Sequence, residues 1–218
     1  MKRYKIIIEY DGTPFVGWQK QENGQSVQEC IELSLKKIFE EEIIIFGAGR
    51  TDSGVHAMGQ VAQFDIHHKD LETYVIKNAL NDHLRPFPIS ILQVDEVDEN
   101  FHARFNAIQR KYLYRIINRK SPLTIEKGRA WQVHKQLNID EMKKCIPIIE
   151  GKHDFTTFRS AQCQSDSPLK TLDRLQITQS GENIYFGFTA KSYLHHQVRS
   201  IVGSLKLVGD QSWSVQDF

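Results

Sequence analysis

The spacing of apolar residues changes period several times in the first half of the chain, and each change predicts an element. Lys5 to Tyr10 is rich in β-branched residues and runs into Asp11-Gly12, a turn signal. Ser26-Val27-Gln28-Glu29 has the form of a capping box, after which Val27, Ile31, Leu35, Ile38 and Phe39 recur at helical spacing. Ile43 to Phe46 reads as a short buried strand that leads into a glycine-rich loop. Gln60 to Ile66 alternates as a strand. Asp70 is placed to cap a helix with Leu71, Val75, Ala79 and Leu80 inward, and Ile89 to Val97 returns as a strand. This strand-helix-strand-strand-helix-strand order predicts a ferredoxin-like, split βαβ module, an arrangement also used by RNA-binding domains.

The second half partly repeats the pattern. Lys111 to Asn118 alternates, with Tyr112, Tyr114 and Ile116 on one face. Ala130 to Val133 suggests a short extra strand. Asn138 caps a predicted helix with Met142, Cys145 and Ile149 inward, which Pro147 should kink. Thr171 to Thr178 and Ile184 to Ala190 are strands. An amphipathic helix follows, its buried face carrying Leu194, Val198, Ile201, Val202, Leu205 and Val208. By symmetry a final strand is owed, and the sequence stops at Phe218 without one. The expected fold class is α+β: two ferredoxin-like halves, 1–104 and 105–218, with mixed, mainly antiparallel sheets. No Pro- or Gly-rich linker separates them, so they are expected to pack as one body around a basic catalytic cleft.

Composition adds little about partners until charge is followed along the chain. Across 218 residues the net charge is only +1. Yet Phe101 to Ile125 holds Arg104, Arg110, Lys111, Arg115, Arg119 and Lys120 with no acid, and Asn183 to Gly209 holds Lys191, Arg199 and Lys206, again with none. Acids gather elsewhere, as at Glu40-Glu41-Glu42. Such segregation predicts a basic face on a nearly neutral body, suited to nucleic acid. Cys30, Cys145 and Cys163 form neither a metal clip nor a C-x-x-C dithiol, and no segment reads as a leader or a membrane span. The expectation is a soluble cytoplasmic protein with reduced thiols and no metal.

Chemistry concentrates in Gly47-Ala48-Gly49-Arg50-Thr51-Asp52-Ser53-Gly54-Val55-His56-Ala57. Glycines permit positive φ and close approach to a ligand. Arg50 and Asp52 set a fixed cation beside a carboxylate that can serve as nucleophile or base. A dinucleotide fingerprint would need glycine at Asp52, and a phosphate-binding P-loop would need a lysine that the loop lacks.

This loop, together with Tyr10-Asp11-Gly12, Gly17-Trp18-Gln19, Arg110-Lys111-Tyr112-Leu113-Tyr114 and Leu194-His195-His196 with Val198-Arg199, resembles the motifs of tRNA pseudouridine synthases of the TruA type. The resemblance implies isomerisation of uridine to pseudouridine at positions 38, 39 and 40 of the tRNA anticodon arm. It implies a homodimer working without cofactor or metal. Asp52 matches the family's catalytic aspartate; attack at C1′, attack at C6 and removal of a sugar proton all remain open to it. Arg50 matches the arginine that enters the helix as the target base leaves. Tyr112 matches the active-site tyrosine, and Arg199 an arginine that pairs with the catalytic carboxylate. The Tyr10 to Gln21 segment resembles a tRNA-contacting loop, in which Trp18 either stacks on RNA or plugs the core. His195 and Arg199 are expected one turn apart on a single helix flank, while adjacent His195 and His196 should diverge and face RNA or packing rather than share a metal. Gln197 and Ser200 stand where the family usually has methionine and asparagine, which predicts a more polar helix surface.

Two other functional classes compete. A non-catalytic RNA-binding or RNA-chaperone protein would carry the glycine and phenylalanines of the RNA-recognition strand motif, which Arg110 to Tyr114 lacks. A metal-dependent nuclease would gather several acidic ligands, and the glycine loop offers one.

Overall fold

The computed structural model describes residues 1–161 and 163–218. The chain forms two compact units, Met1–Ala107 and Ile108–Phe218. Both combine helices with a sheet, so the fold is α+β with two halves. Among the described residues no helix is long and apolar enough to cross a membrane.

The first unit runs β1 (Lys2–Tyr10), α1 (Val27–Phe39), β2 (Phe46–Gly47), β3 (Ala57–Ile66), α2 (Thr73–His83) and β4 (Ile89–Val97). The sheet order is β2-β3-β1-β4 and every pairing is antiparallel, the ferredoxin-like arrangement. Strand alternation turns Tyr4, Ile6, Ile8 and Tyr10 of β1 to one face. There they meet Ile31, Leu35 and Ile38 of α1, and Ile76 and Leu80 of α2. Each such buried aliphatic side chain contributes about 1.5–3 kcal/mol. Ser26 caps α1, accepting from the Glu29 N–H at 3.2 Å.

Three local expectations give way to tertiary context. Ile43 and Ile45 are buried but lie outside any strand, because Glu32 of α1 takes the Ile45 N–H at 3.2 Å. Pairing therefore begins only at Phe46. Asp70 does not cap α2; it forms an ion pair with Lys2 at 2.9 Å, and Glu72 stands at the N-cap without a side-chain bond. Ile76, rather than Val75, is the fully buried residue in the first half of α2.

The second unit runs β5 (Arg110–Asn118), β6 (Trp131–Val133), α3 (Ile139–Lys144), α4 (Ile146–Ile149), β7 (Gly151–Asp154), β8 (Leu169–Ser180), β9 (Asn183–Ala190) and α5 (Gln197–Gly209). Its sheet order is β6-β5-β9-β8-β7. The sheet is mixed, since β6 runs parallel to β5 at Ile116–Asn118 while the other pairs are antiparallel. Pro147 breaks the expected helix in two at Cys145 and sits in the first turn of α4, where its missing N–H does no harm. Met142, Cys145 and Ile149 are buried as the spacing predicts. The polar Gly151-Lys152-His153-Asp154 gives no strand signal, yet β7 forms because β8 offers it an edge.

Candidate active site

The glycine loop connects β2 to β3. Its entry is fixed by two bonds to β3: the Ala48 N–H donates to Val61 O at 2.8 Å, and Gln60 Nε2 donates to Gly49 O at 2.5 Å. Past this point Arg50 is exposed and Asp52 is half-buried. The Val55 N–H donates to Asp52 O at 3.1 Å, closing a turn around Ser53 and Gly54. Gly54 takes φ +76°, and a Cβ there would meet nothing within 4 Å. Its requirement is therefore the left-handed dihedral and not space. The loop thus holds Arg50 and Asp52 on one short turn, with the carboxylate partly reachable from solvent.

Trp18 resolves in favour of packing. Only 3 % of it is exposed, and its ring lies 6.2 Å from that of Tyr10 in the first unit's core. A stacking role on RNA is excluded by this burial. The indole instead supports the floor of the glycine loop beneath Gly47.

The other site residues are in the second unit. Tyr112, in β5, sits opposite Phe188 of β9 and is partly buried. Tyr193 meets it edge-on, with ring centroids 5.0 Å apart at 88°, and donates its hydroxyl to Arg110 O at 3.4 Å. Burial pushes the Tyr193 phenol well above its ordinary value, reinforced by neighbouring Tyr112 and Asp173. Tyr193 was not a sequence candidate, because it lies in the connection before α5, where no periodicity marks it. Tyr114, two residues along β5, is also pushed up by burial, with the Arg199 guanidinium opposing the shift. Arg199 itself is exposed on the first turn of α5.

Helix geometry differs from expectation at the start of α5. The helix begins at Gln197, and His196 is its N-cap with φ +65°, so His195 precedes the helix and shares no flank with Arg199. The left-handed residue folds the two imidazoles toward each other, with centroids 3.9 Å apart. The argument that helical residues diverge does not apply to them. Gln197 is likewise no surface residue. It is 2 % exposed, and its Oε1 accepts from the Leu194 N–H at 2.8 Å, tying the connection to the helix start.

The basic segments are partly neutralised from outside their own boundaries. Arg115 pairs with Glu126, Arg119 with Glu182 at 3.1 Å, and Lys206 with Asp210 at 2.5 Å. Arg119 also donates to the carbonyls of Ser121 and Pro122, so it holds a loop in shape. Arg104, Lys111, Lys120 and Lys191 are exposed.

A sequence profile of the family described as tRNA pseudouridine synthase matches residues 6–106 and 147–218. The chain is 52% identical over 218 residues to the tRNA pseudouridine synthase A of Parvibaculum lavamentivorans, covering 98% of this chain and 87% of that protein. It is 53% identical over 219 residues to the protein of the same name from Sinorhizobium fredii, covering all of this chain and 88% of the relative. Against the Ehrlichia ruminantium protein, also tRNA pseudouridine synthase A, the identity is 52% over 204 residues, covering 93% and 82%. The glycine loop with Asp52 and the Arg199 helix fall within the residues that the family profile matches, the Tyr112 strand lies between its two matched stretches, and the chain belongs to the tRNA pseudouridine synthases, isomerases that convert uridine in tRNA to pseudouridine.

Proposed function

We propose that this protein isomerises uridine to pseudouridine in the anticodon stem-loop of tRNA, at positions 38, 39 and 40, with Asp52 as its catalytic residue. Family membership supports the reaction class. The observation that carries the residue assignment is the turn itself: a half-buried carboxylate held two residues from an exposed arginine on a loop with one left-handed glycine. The isomerisation breaks the N-glycosidic bond, turns the freed base and rejoins it through C5, whose proton leaves. Asp52 supplies the carboxylate for this sequence. Arg50 occupies the gap that the extruded uridine leaves in the stem. Tyr112 offers a ring face to the flipped base and a hydroxyl near C5. Arg199 orients the Asp52 carboxylate. We further propose that the working form is a cytoplasmic homodimer bound to tRNA and that it needs no cofactor.

Asp52→Asn tests this reading, because it preserves shape while removing the charge and the nucleophile. Pseudouridine formation on unmodified tRNA should become undetectable. Affinity for tRNA should change by less than about tenfold, roughly 1.4 kcal/mol. Substantial turnover by the folded variant would refute the assignment. Lost binding without a separate chemical defect would favour a non-catalytic RNA-binding role.

A further inference from the structure

We propose that His56 is a positioning residue for Asp52, acting through a cradle formed by Asp11 to Trp18. The inference rests on Asp52 being the catalytic carboxylate, and it gives the Tyr10-Asp11-Gly12 and Gly17-Trp18 motifs a role other than contact with RNA.

The loop that carries Asp52 is held on both sides of it. Before Asp52, the Tyr10 hydroxyl and Thr51 Oγ1 share a hydrogen bond of 2.8 Å, and the Trp18 N–H donates to Thr51 O at 3.1 Å. Gly17, at φ +120°, passes so close that a Cβ on it would stand 2.7 Å from that same carbonyl oxygen. Immediately after Asp52, Ser53 Oγ donates to Phe15 O at 3.2 Å. At the far end, His56 Nδ1 accepts from the Gly12 N–H at 3.1 Å and lies 3.1 Å from Asp11 Oδ1. A Cβ on Gly12 would overlap the Val55 carbonyl oxygen.

The cradle is rigid where His56 grips it. The Asp11 N–H donates to Pro88 O at 3.0 Å, and the Asp11 carboxylate accepts from the Thr13 N–H at 3.0 Å. One ring nitrogen cannot donate and accept at once. With Nδ1 bare the ring takes the Gly12 N–H, and with a proton on Nδ1 it donates to Asp11. Either state ties the loop's exit to the turn after β1. Without it, displacement of the loop's exit is opposed by the close backbone approach of Gly12 to Gly54 and Val55 and by the pairing of Ala57 with Tyr10, and no longer by a side-chain bond. Reaction geometry tolerates little such displacement, so loosening this end costs rate rather than affinity.

The experiment compares His56→Ala, His56→Asn, Gly12→Ala and Asp52→Asn with the parent. It measures single-turnover pseudouridine formation at saturating tRNA, tRNA affinity by filter binding, and thermal unfolding. His56→Ala should lower the rate by about tenfold or more while affinity stays within about threefold. His56→Asn should recover to within about threefold of the parent, because its amide oxygen sits near the Nδ1 position and accepts the Gly12 N–H. Gly12→Ala displaces Val55 without altering any loop side chain and should reproduce the rate loss, which keeps the test decisive if the alanine variant at His56 unfolds. A parental rate in either alanine variant, a loss confined to affinity, or an asparagine variant as slow as alanine overturns the proposal. Turnover by Asp52→Asn would instead overturn the assignment of Asp52 itself.

Discussion

A Cβ on Gly47 would stand 2.8 Å from Nε1 of Trp18, so the indole and the entry to the Asp52 loop are in direct van der Waals contact. Gly47 also pairs with Ala62 across β2 and β3, which leaves its backbone no room to retreat. The buried tryptophan and the glycine therefore set the height at which the loop leaves the sheet.

Gly47→Ala should destabilise the protein by about 1–3 kcal/mol, the usual range for overpacking. Combining it with Trp18→Phe, which removes part of the offending ring, should cost less than the two single changes added together. Urea unfolding of the four proteins measures this coupling, and strict additivity would show that the two residues do not share one packing constraint.

Arg199→Leu should slow chemistry more than it weakens binding. The side chain is exposed in the free protein, so the loss is that of a charge-assisted hydrogen bond, about 1.5–3 kcal/mol, and not of a deeply buried pair. That corresponds to a fall of roughly tenfold to a hundredfold in single-turnover rate at saturating tRNA. Tyr112→Phe keeps the ring and its edge contact with Tyr193, so only a partial defect is expected. A parental rate in the leucine variant would remove Arg199 from the chemistry.

Stability at low pH should report on Asp210. Burial alone would raise this carboxyl, but the Lys206 ammonium, the Ser212 side chain and the Ser212 N–H outweigh it and hold the group at about 2. Since the folded value lies below the unfolded one, the contribution is full above about pH 4 and is lost as pH falls through about 2. Asp210→Asn should cost about 1–2 kcal/mol near neutrality, and the cost should shrink to a small fraction of that by about pH 2. Curves of unfolding free energy against pH for the two proteins should therefore converge in acid, and parallel curves would rule out the pair as their cause.

Of the three thiols, Cys163 should react first with an alkylating reagent. Its partial burial opposes ionisation, but bonds from the backbone at Ser165 and His195, with the charges of Arg159 and Lys170, bring it below the ordinary thiol value. Cys30 is buried and pushed up to about 11, and burial also raises Cys145. Peptide mapping after brief labelling at neutral pH should find the adduct at Cys163. Equal labelling at Cys30 would contradict the buried setting of α1.

The salt dependence of tRNA binding should come from the exposed cations. Lys111→Ala or Lys191→Ala should each reduce the slope of log affinity against log salt by about one. Arg119→Ala should leave it nearly unchanged, because Glu182 and two loop carbonyls already engage that guanidinium. An equal effect at Arg119 would mean that the pairing opens when RNA binds.

Periodicity and capping chemistry determined most of the elements, because they act over a few neighbouring residues. Ser26 and Asn138 cap the helices they precede, and Pro147 divides its helix for reasons contained in the proline ring. The glycine loop was legible too, since few other local structures combine its glycines with Arg50 and Asp52. Tertiary structure alone decided what depends on distant partners. Asp70 looked like a cap until Lys2 came within reach, and Gln197 looked like a surface residue until the Leu194 N–H required an acceptor. Trp18 was divided between RNA and core until its ring was found beneath Gly47. His195 lost its place on a helix through one left-handed residue, His196. A side chain's immediate sequence limits its backbone conformations. Which buried polar group it satisfies, and which space it fills, is settled only when segments far apart in the chain compete for the same site.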